Sequence, residues 1–282
     1  MLLNIPKVFN IKRKSHYTKV IMKKETRFII TDTDWEQYLR TTPDEFLERH
    51  KEALFRGKKR IKQLDKLLYN FVFDPQTRYA AQRMISKNTV MYRARIFEKI
   101  NGLPQKKDDS FLGYGEKDSF VPPKRFANEG RINKKKIVYL YVASSIDAAI
   151  AEISPAPSQV VSIAEIKAIE DLILFNIACL WSGIEAGSRK RSQWINIFIL
   201  RLTECFYSVL TKERNYCICQ YVGNFAKKYG FDGIRYFSSK DANNMAENAG
   251  VNGAIFNYKK CKPVSSKLVY ICEVKYDYLD IK

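Results

Sequence analysis

The 282-residue sequence predicts an α+β protein, and three observations carry that prediction. Helical periodicity runs through residues 32–85. Beyond residue 89 short β-patterned pieces alternate with inserted helices rather than following a regular βαβ series. Apolar residues at 46% and aromatics at 13% supply a sizeable core, which excludes a disordered chain. The expected organisation is a small helical region over 1–88 and a second, α+β domain over 89–282.

The elements follow in chain order. In TTPDEFLERHKEALFRG, Thr42 is the expected N-cap, Pro43 the first helical residue, Glu45 the capping-box partner and Gly57 the stop. Leu64, Leu67, Leu68 and Phe71 then recur at helical spacing. At TVMYRARIF the period changes to two, and β-favouring residues replace helix formers. NGLPQKKDDSFLGYGEKDSFVPPKRF is too polar and too broken by Gly and Pro for regular structure, and is expected as a long loop. A strand over IVYLYVA (137–143) follows, with Val138, Leu140 and Val142 on one face and Tyr139 and Tyr141 on the other. Next come a short helix opening at Ser145 or Asp147, and strands over SQVVSIAEI and DLILFNI. Two helices, SQWINIFILRLTECFYSVL and NYCICQYVGNFAKKYG, the second closed by Gly230, precede late strands in GIRYF, GAIFNY and KLVYICEVKYDY.

Composition narrows the function classes. The apolar patch of MLLNIPKVFNIKRK precedes its basic residues, the reverse of a secretory leader, and no run approaches about 18 uncharged apolar residues. The expectation is a cytoplasmic protein without a membrane span. Cys179, Cys205, Cys217, Cys219, Cys261 and Cys272 form no Cys-x-x-Cys pair, and His16 and His50 lie far from them in sequence, so buried reduced thiols are expected rather than a metal site. The net charge of +19 points to a polyanion or an anionic small molecule. Because the lysines are spread without an RNA-recognition or zinc-finger signature, the pattern favours a solvated basic surface over a nucleic-acid groove. The charge nevertheless keeps nucleic acid among the partner classes, and a homo-oligomer stays open.

Three side chains between Phe126 and Ile153 stand out. Glu152 sits one turn from Ala148 and Ala149, whose small side chains leave room beside an acid; the bland alternative is a glutamate on the helix's wet edge. Arg131 follows Gly130, where the backbone turns sharply and a guanidinium fork suits phosphate; the alternative is a solvated loop arginine. Tyr141 is either an aromatic wall or ordinary core packing. The phosphate-loop, dinucleotide-fingerprint and nucleophile-elbow signatures are absent.

Taken together, the residues resemble a known family. Arg131, Glu152 and Ser238 fall in order within GRIN, AEI and GIRYFSS, as in the RES domain, which is named for such an arginine, glutamate and serine. The likeness runs from about Tyr92 to Phe256 through YRAR, FVPPKRFANEGRIN, YLYVASSIDAAIAEISP, CQYVGNFAKKYGFDGIRYFSS and AIF. It implies an ADP-ribosyltransferase-like fold with a mixed sheet. It also implies a bacterial toxin that consumes NAD as substrate, by glycohydrolysis or phosphorolysis of the nicotinamide–ribose bond, opposed by a cognate antitoxin. Transfer of ADP-ribose to a protein or nucleic acid is the alternative. A binding module with a vestigial pocket ranks last.

The resemblance further implies that Glu152 stabilises the positive charge that builds on ribose as neutral nicotinamide departs, and that Arg131 clamps phosphate or ribose oxygens. Tyr141 would orient the nicotinamide ring and Ser238 would contact its ribose, with Arg93 and Asn133 as further substrate-binding candidates. Two departures bear on this. Ile132 stands where many relatives carry an aromatic, and Tyr236, Phe237 and Ser238 replace a Tyr-Pro-Ser, so that Ser239 competes for the serine's role. Residues 178–215 are expected as a helical elaboration, and the N-terminal helices lie outside the likeness.

Overall fold

The computed structural model describes residues 30–73, 77–98, 106–107, 110–178, 187–207, 212–238, 240 and 250–274. Ser239, Cys179 and His16 lie outside the described residues. The helices are α1 (Asp32–Tyr38), α2 (Pro43–Phe55), α3 (Lys62–Phe73), α4 (Arg78–Ala81), α5 (Glu116–Ser119), α6 (Ile146–Ile153), α7 (Arg189–Tyr207) and α8 (Lys212–Lys228). The strands are β1 (Gln82–Ile85), β2 (Val90–Ile96), β3 (Lys106–Lys107), β4 (Ser110–Phe111), β5 (Leu140–Ala143), β6 (Val160–Ala168), β7 (Leu172–Asn176), β8 (Gly233–Phe237), β9 (Val251–Ile255) and β10 (Cys261–Tyr270). The protein is therefore α+β, as the pattern predicts.

Local chemistry explains the well-placed boundaries. Thr42 accepts from the Glu45 amide and Glu45 accepts from the Thr42 amide, completing the capping box of α2. Ser145 caps α6 by accepting from the Ala148 amide at 3.1 Å, which settles the choice between Ser145 and Asp147. Gly57 and Gly230 close their helices at φ +93° and +83°, a region open to glycine.

Elsewhere tertiary pairing overrides the pattern. Helical periodicity was expected to reach Ile85, yet Gln82–Ile85 forms β1 and pairs antiparallel with β7. The strand expected from residue 137 begins at Leu140, because the Ile137 carbonyl accepts from Asn133 Nδ2 at 2.9 Å and the Ile137 amide closes a turn onto Lys134. Within the expected loop, β3 pairs with β4, and α5 and a 3-10 turn at Lys124–Phe126 follow. Among the cysteines, Cys205, Cys219 and Cys261 are buried, whereas Cys272 is exposed.

The main sheet runs β1-β7-β8-β9-β5-β2-β6-β10. Its pairings are antiparallel except β7 with β8, so it is mixed. Strand alternation separates two apolar faces. Tyr139, Tyr141, Phe175, Ile234, Tyr236 and Ala254 pack towards the core shared with α1, α2, α3, α7 and α8. Leu140, Val142, Leu172, Leu174 and Ile255 pack on the opposite face against Phe120, Val121 and Tyr258. α6 covers β2 and β6 through Ala148 and Ala149 against Ala94, Ala143, Val161 and Ile163.

One pairing positions the site. β2 and β5 meet only at Tyr92 and Ala143, whereas β2 pairs with β6 along its whole length and β5 with β9 likewise. The sheet parts between two strands that are each firmly held by their other neighbour.

Candidate active site

Where β2 and β5 diverge, a cavity of about 440 Å³ opens beside α6. That volume lies in the range of about 300–1,000 Å³ usual for small-molecule pockets. β2 contributes Arg93 and Arg95, β5 contributes Tyr141, α6 contributes Ala149 and Glu152, β8 contributes Tyr236 and β9 contributes Asn252. Three predicted residues, Arg93, Tyr141 and Glu152, therefore share one hollow.

Glu152 is exposed at the cavity and occupies the last turn of α6, which Ser154 ends in a left-handed conformation. Its Oε2 accepts from Asn252 Nδ2 at 2.8 Å and from Ser238 Oγ at 3.4 Å. Ser238 itself is buried and outside the cavity lining, reaching the site through that bond to Glu152.

Arg93 donates from one terminal nitrogen to the Tyr141 carbonyl at 3.2 Å and so bridges the gap between the diverging strands. Its Nε is enclosed and without a protein acceptor. Burial lowers its pKa to about 10, with Arg95 adding to the shift and Tyr141 opposing it, so the guanidinium stays cationic at neutral pH. Arg95 donates to the Asp118 carbonyl and lies 5.2 Å over the Tyr114 ring, which fixes a second cation on the same strand.

Tyr141 spans the cavity wall. Its hydroxyl donates to Asn133 Oδ1 at 2.6 Å and accepts from the Ile132 amide at 3.2 Å. Burial pushes its pKa upward, so the phenol stays protonated. Asn133 is buried, and its Nδ2 donates to the carbonyls of Asn128, Lys134 and Ile137. It does not line the cavity; it holds Tyr141 from behind.

Arg131 does not line the cavity either. Its guanidinium donates to the Cys205 carbonyl at 3.2 Å and lies 5.7 Å from the centre of the Tyr216 ring. Tyr236 stands near both charged residues. Burial raises its pKa first, Tyr141 and Glu152 raise it further, and Arg131 lowers it. The arginine and the glutamate thus oppose each other electrostatically at one hydroxyl.

Behind this wall, Gln220 on α8 donates to Glu129, to the Gly130 carbonyl and to the Asn133 carbonyl, tying the 129–133 turn to the helical layer. A Cβ on Gly130 would lie 2.6 Å from Asn133 Oδ1 and 2.8 Å from the Tyr141 hydroxyl. Gly130→Ala is therefore expected to force that hydrogen bond apart and cost about 1–3 kcal/mol, read as a lower denaturant midpoint with an unchanged slope.

Sequence reasoning missed Asn252, Arg95 and the lining role of Tyr236. A signal for Asn252 was present: it is the one amide in the apolar run VNGAIF, and a buried amide needs a partner. Among the described residues, no group of His, Cys, Asp and Glu could hold a metal ion, and no helix is long and apolar enough to cross a membrane.

Comparison with known proteins gives two findings. The RES domain family model matches residues 111–276. A solved structure, the M. tuberculosis MbcT–MbcA toxin–antitoxin complex, is similar at 12% identity and a TM-score of 0.35, covering 72% of this chain and 92% of that one. No curated protein matches.

Proposed function

The chain belongs to the RES domain family, and from that premise we propose that it cleaves the nicotinamide–ribose bond of NAD in the cavity between β2 and β5. The observation that carries the proposal is a carboxylate, Glu152, presented to a hollow whose lining also includes two cationic residues of β2, Arg93 and Arg95. That pairing of charges matches a substrate with an anionic diphosphate and a reacting centre that turns positive.

The bond from ribose C1′ to the pyridine nitrogen breaks, and its electron pair stays on nitrogen, so nicotinamide leaves neutral and needs no proton. Positive charge grows on C1′ and the ring oxygen, and the Glu152 carboxylate is the countercharge for it. Water then adds to C1′, giving ADP-ribose and a proton, or a phosphate oxygen adds instead, giving the 1-phosphate. Tyr141 offers an aromatic wall for the departing ring. Arg93 offers the diphosphate a cation on the cavity lining.

Arg131 and Asn133 act as positioning residues, the first beside Tyr236 and the second beneath the Tyr141 hydroxyl. Ser238 contacts the nicotinamide ribose or steadies Glu152 through the 3.4 Å bond. On this reading residues 89–282 carry the catalytic domain, while α1, α2 and α3 of the preceding region share its core and β1 joins its sheet. In the cell such an activity makes the chain a toxin that depletes NAD, with an antitoxin as its expected partner.

The test is free nicotinamide released from NAD by the purified chain, in phosphate and in phosphate-free buffer. Release in both supports hydrolysis, release that needs phosphate supports phosphorolysis, and intact NAD at high enzyme in both overturns the proposal. A second reading, transfer of ADP-ribose to an acidic or nucleic-acid acceptor, draws on the net charge of +19. Adenine-labelled NAD that leaves label on a macromolecule selects it.

A further inference from the structure

Glu152 occupies an unfavourable place for a carboxylate. It lies in the last turn of α6, where the helix carries partial negative charge and no basic residue shares the turn. A carboxylate there is disfavoured by that partial charge. The groups that hydrogen-bond it are neutral, Asn252 Nδ2 at 2.8 Å and Ser238 Oγ at 3.4 Å, and both reach the same oxygen, Oε2.

Asn252 makes the shorter bond, and its surroundings show why. It is 4% exposed, within a strand in which every residue is buried. In register it faces Ala143 on β5 and Tyr236 on β8, which puts its side chain on the face that carries α6. An amide among apolar neighbours costs free energy unless it is paired, and Glu152 is its side-chain partner. Ser238 is less committed, since its Oγ also accepts from the Lys240 amide at 3.3 Å.

We propose that Asn252 is a positioning residue for Glu152: its amide pins Oε2 against β9 and turns the other carboxylate oxygen to the cavity, without neutralising the charge. A lysine or arginine in its place would hold the carboxylate equally well but would consume the negative charge that a cationic reacting centre needs. A neutral donor aims the group and leaves its charge intact. This inference rests on the reading of Glu152 given above.

The experiment compares the parent with Asn252→Ala and Asn252→Asp in nicotinamide release from NAD, as full kcat and KM profiles against pH. Loss of the donor leaves the diphosphate grip untouched, so Asn252→Ala is expected to lower kcat about 10²-fold with KM within about threefold. Asn252→Asp keeps the shape but sets a second carboxyl against Glu152. Like charges oppose ionisation, so the acidic limb of its kcat profile moves to higher pH. Loosened packing alone would lower kcat and leave that limb where it was. Arg93, Arg95, Glu98, Tyr92, Tyr141 and Tyr236 also face the cavity, and a Glu152→Gln background, in which the shift disappears, separates their titration from that of the pair.

Thermal midpoints confirm folding; if Asn252→Asp does not fold, the kcat-against-KM split of Asn252→Ala decides. An active parent whose Asn252→Ala variant keeps the parent kcat overturns the positioning role and leaves the proposed activity standing. A parent inert towards NAD overturns both.

Discussion

Glu152→Gln is expected to cut nicotinamide release at saturating NAD by about 10²–10³-fold, with KM nearly unchanged. The amide keeps the shape of the carboxylate, and its oxygen still accepts from Asn252, so binding groups on β2 and β5 stay where they are. What disappears is the negative charge that meets the oxocarbenium-like centre. Because that charge matters only as the bond breaks, the loss falls on kcat. Stability is expected to move the other way. Glu152 is exposed and sits at the negative end of α6, so removing its charge relieves about 0.3–1 kcal/mol. A variant that melts slightly higher and turns over far more slowly would mark a residue kept for chemistry rather than for folding. Expression in cells gives the parallel readout: the parent halts growth and Glu152→Gln relieves it. Unchanged turnover in this variant would remove Glu152 from the mechanism.

Local interactions were legible in the sequence and crossings of the sheet were not. Thr42 with Glu45 and Gly230 after α8 speak through residues a few positions away, so spacing alone places them, whereas the start of α6 stays open between Ser145 and Asp147 until the Ala148 amide selects Ser145. The alternation of Tyr139 and Tyr141 against Leu140 and Val142 was equally readable, because a strand's two faces are fixed by its own period. The cavity was not. It exists because β2 and β5 meet at a single residue pair, a consequence of what β6 and β9 do on their far sides. For the same reason Arg131 was expected in the pocket and stands behind it, held by α7 and α8 through Cys205 and Tyr216. Asn133 was expected to meet substrate and instead spends both ends of its amide inside the 128–141 turn. β1 was hidden because four residues are too few to show a period, and its pairing with β7 decides its state.

Trp194→Ala is expected to destabilise the whole chain by about 3–5 kcal/mol, a large part of the roughly 5–15 kcal/mol that holds a domain together. Trp194, on α7, is 5% exposed and stacks 5.5 Å from Tyr38 and 5.6 Å from Phe198. Trp35 and Phe46 meet it edge-on at 6.4 and 5.4 Å. Its indole N–H donates to the Thr41 carbonyl at 2.9 Å, so truncation also strands a main-chain acceptor. Three of those rings belong to α1 and α2, within the 1–88 region, while the core that encloses them continues through Phe175 on β7 to Ile234 and Tyr236 on β8. Tyr236 is a wall of the cavity. If the helical region and the catalytic domain share one core in this way, heating the parent gives a single transition, and Trp194→Ala lowers that one transition together with the temperature at which nicotinamide release fails. Independent units would behave differently: circular dichroism would show an early loss of helix confined to the variant, while activity and the later transition stayed at their parental temperatures. The first outcome would make α1 and α2 part of the scaffold that holds α7 and α8 against the Arg131 turn, and would explain why a catalytic domain keeps helices that contribute no residue to its cavity lining.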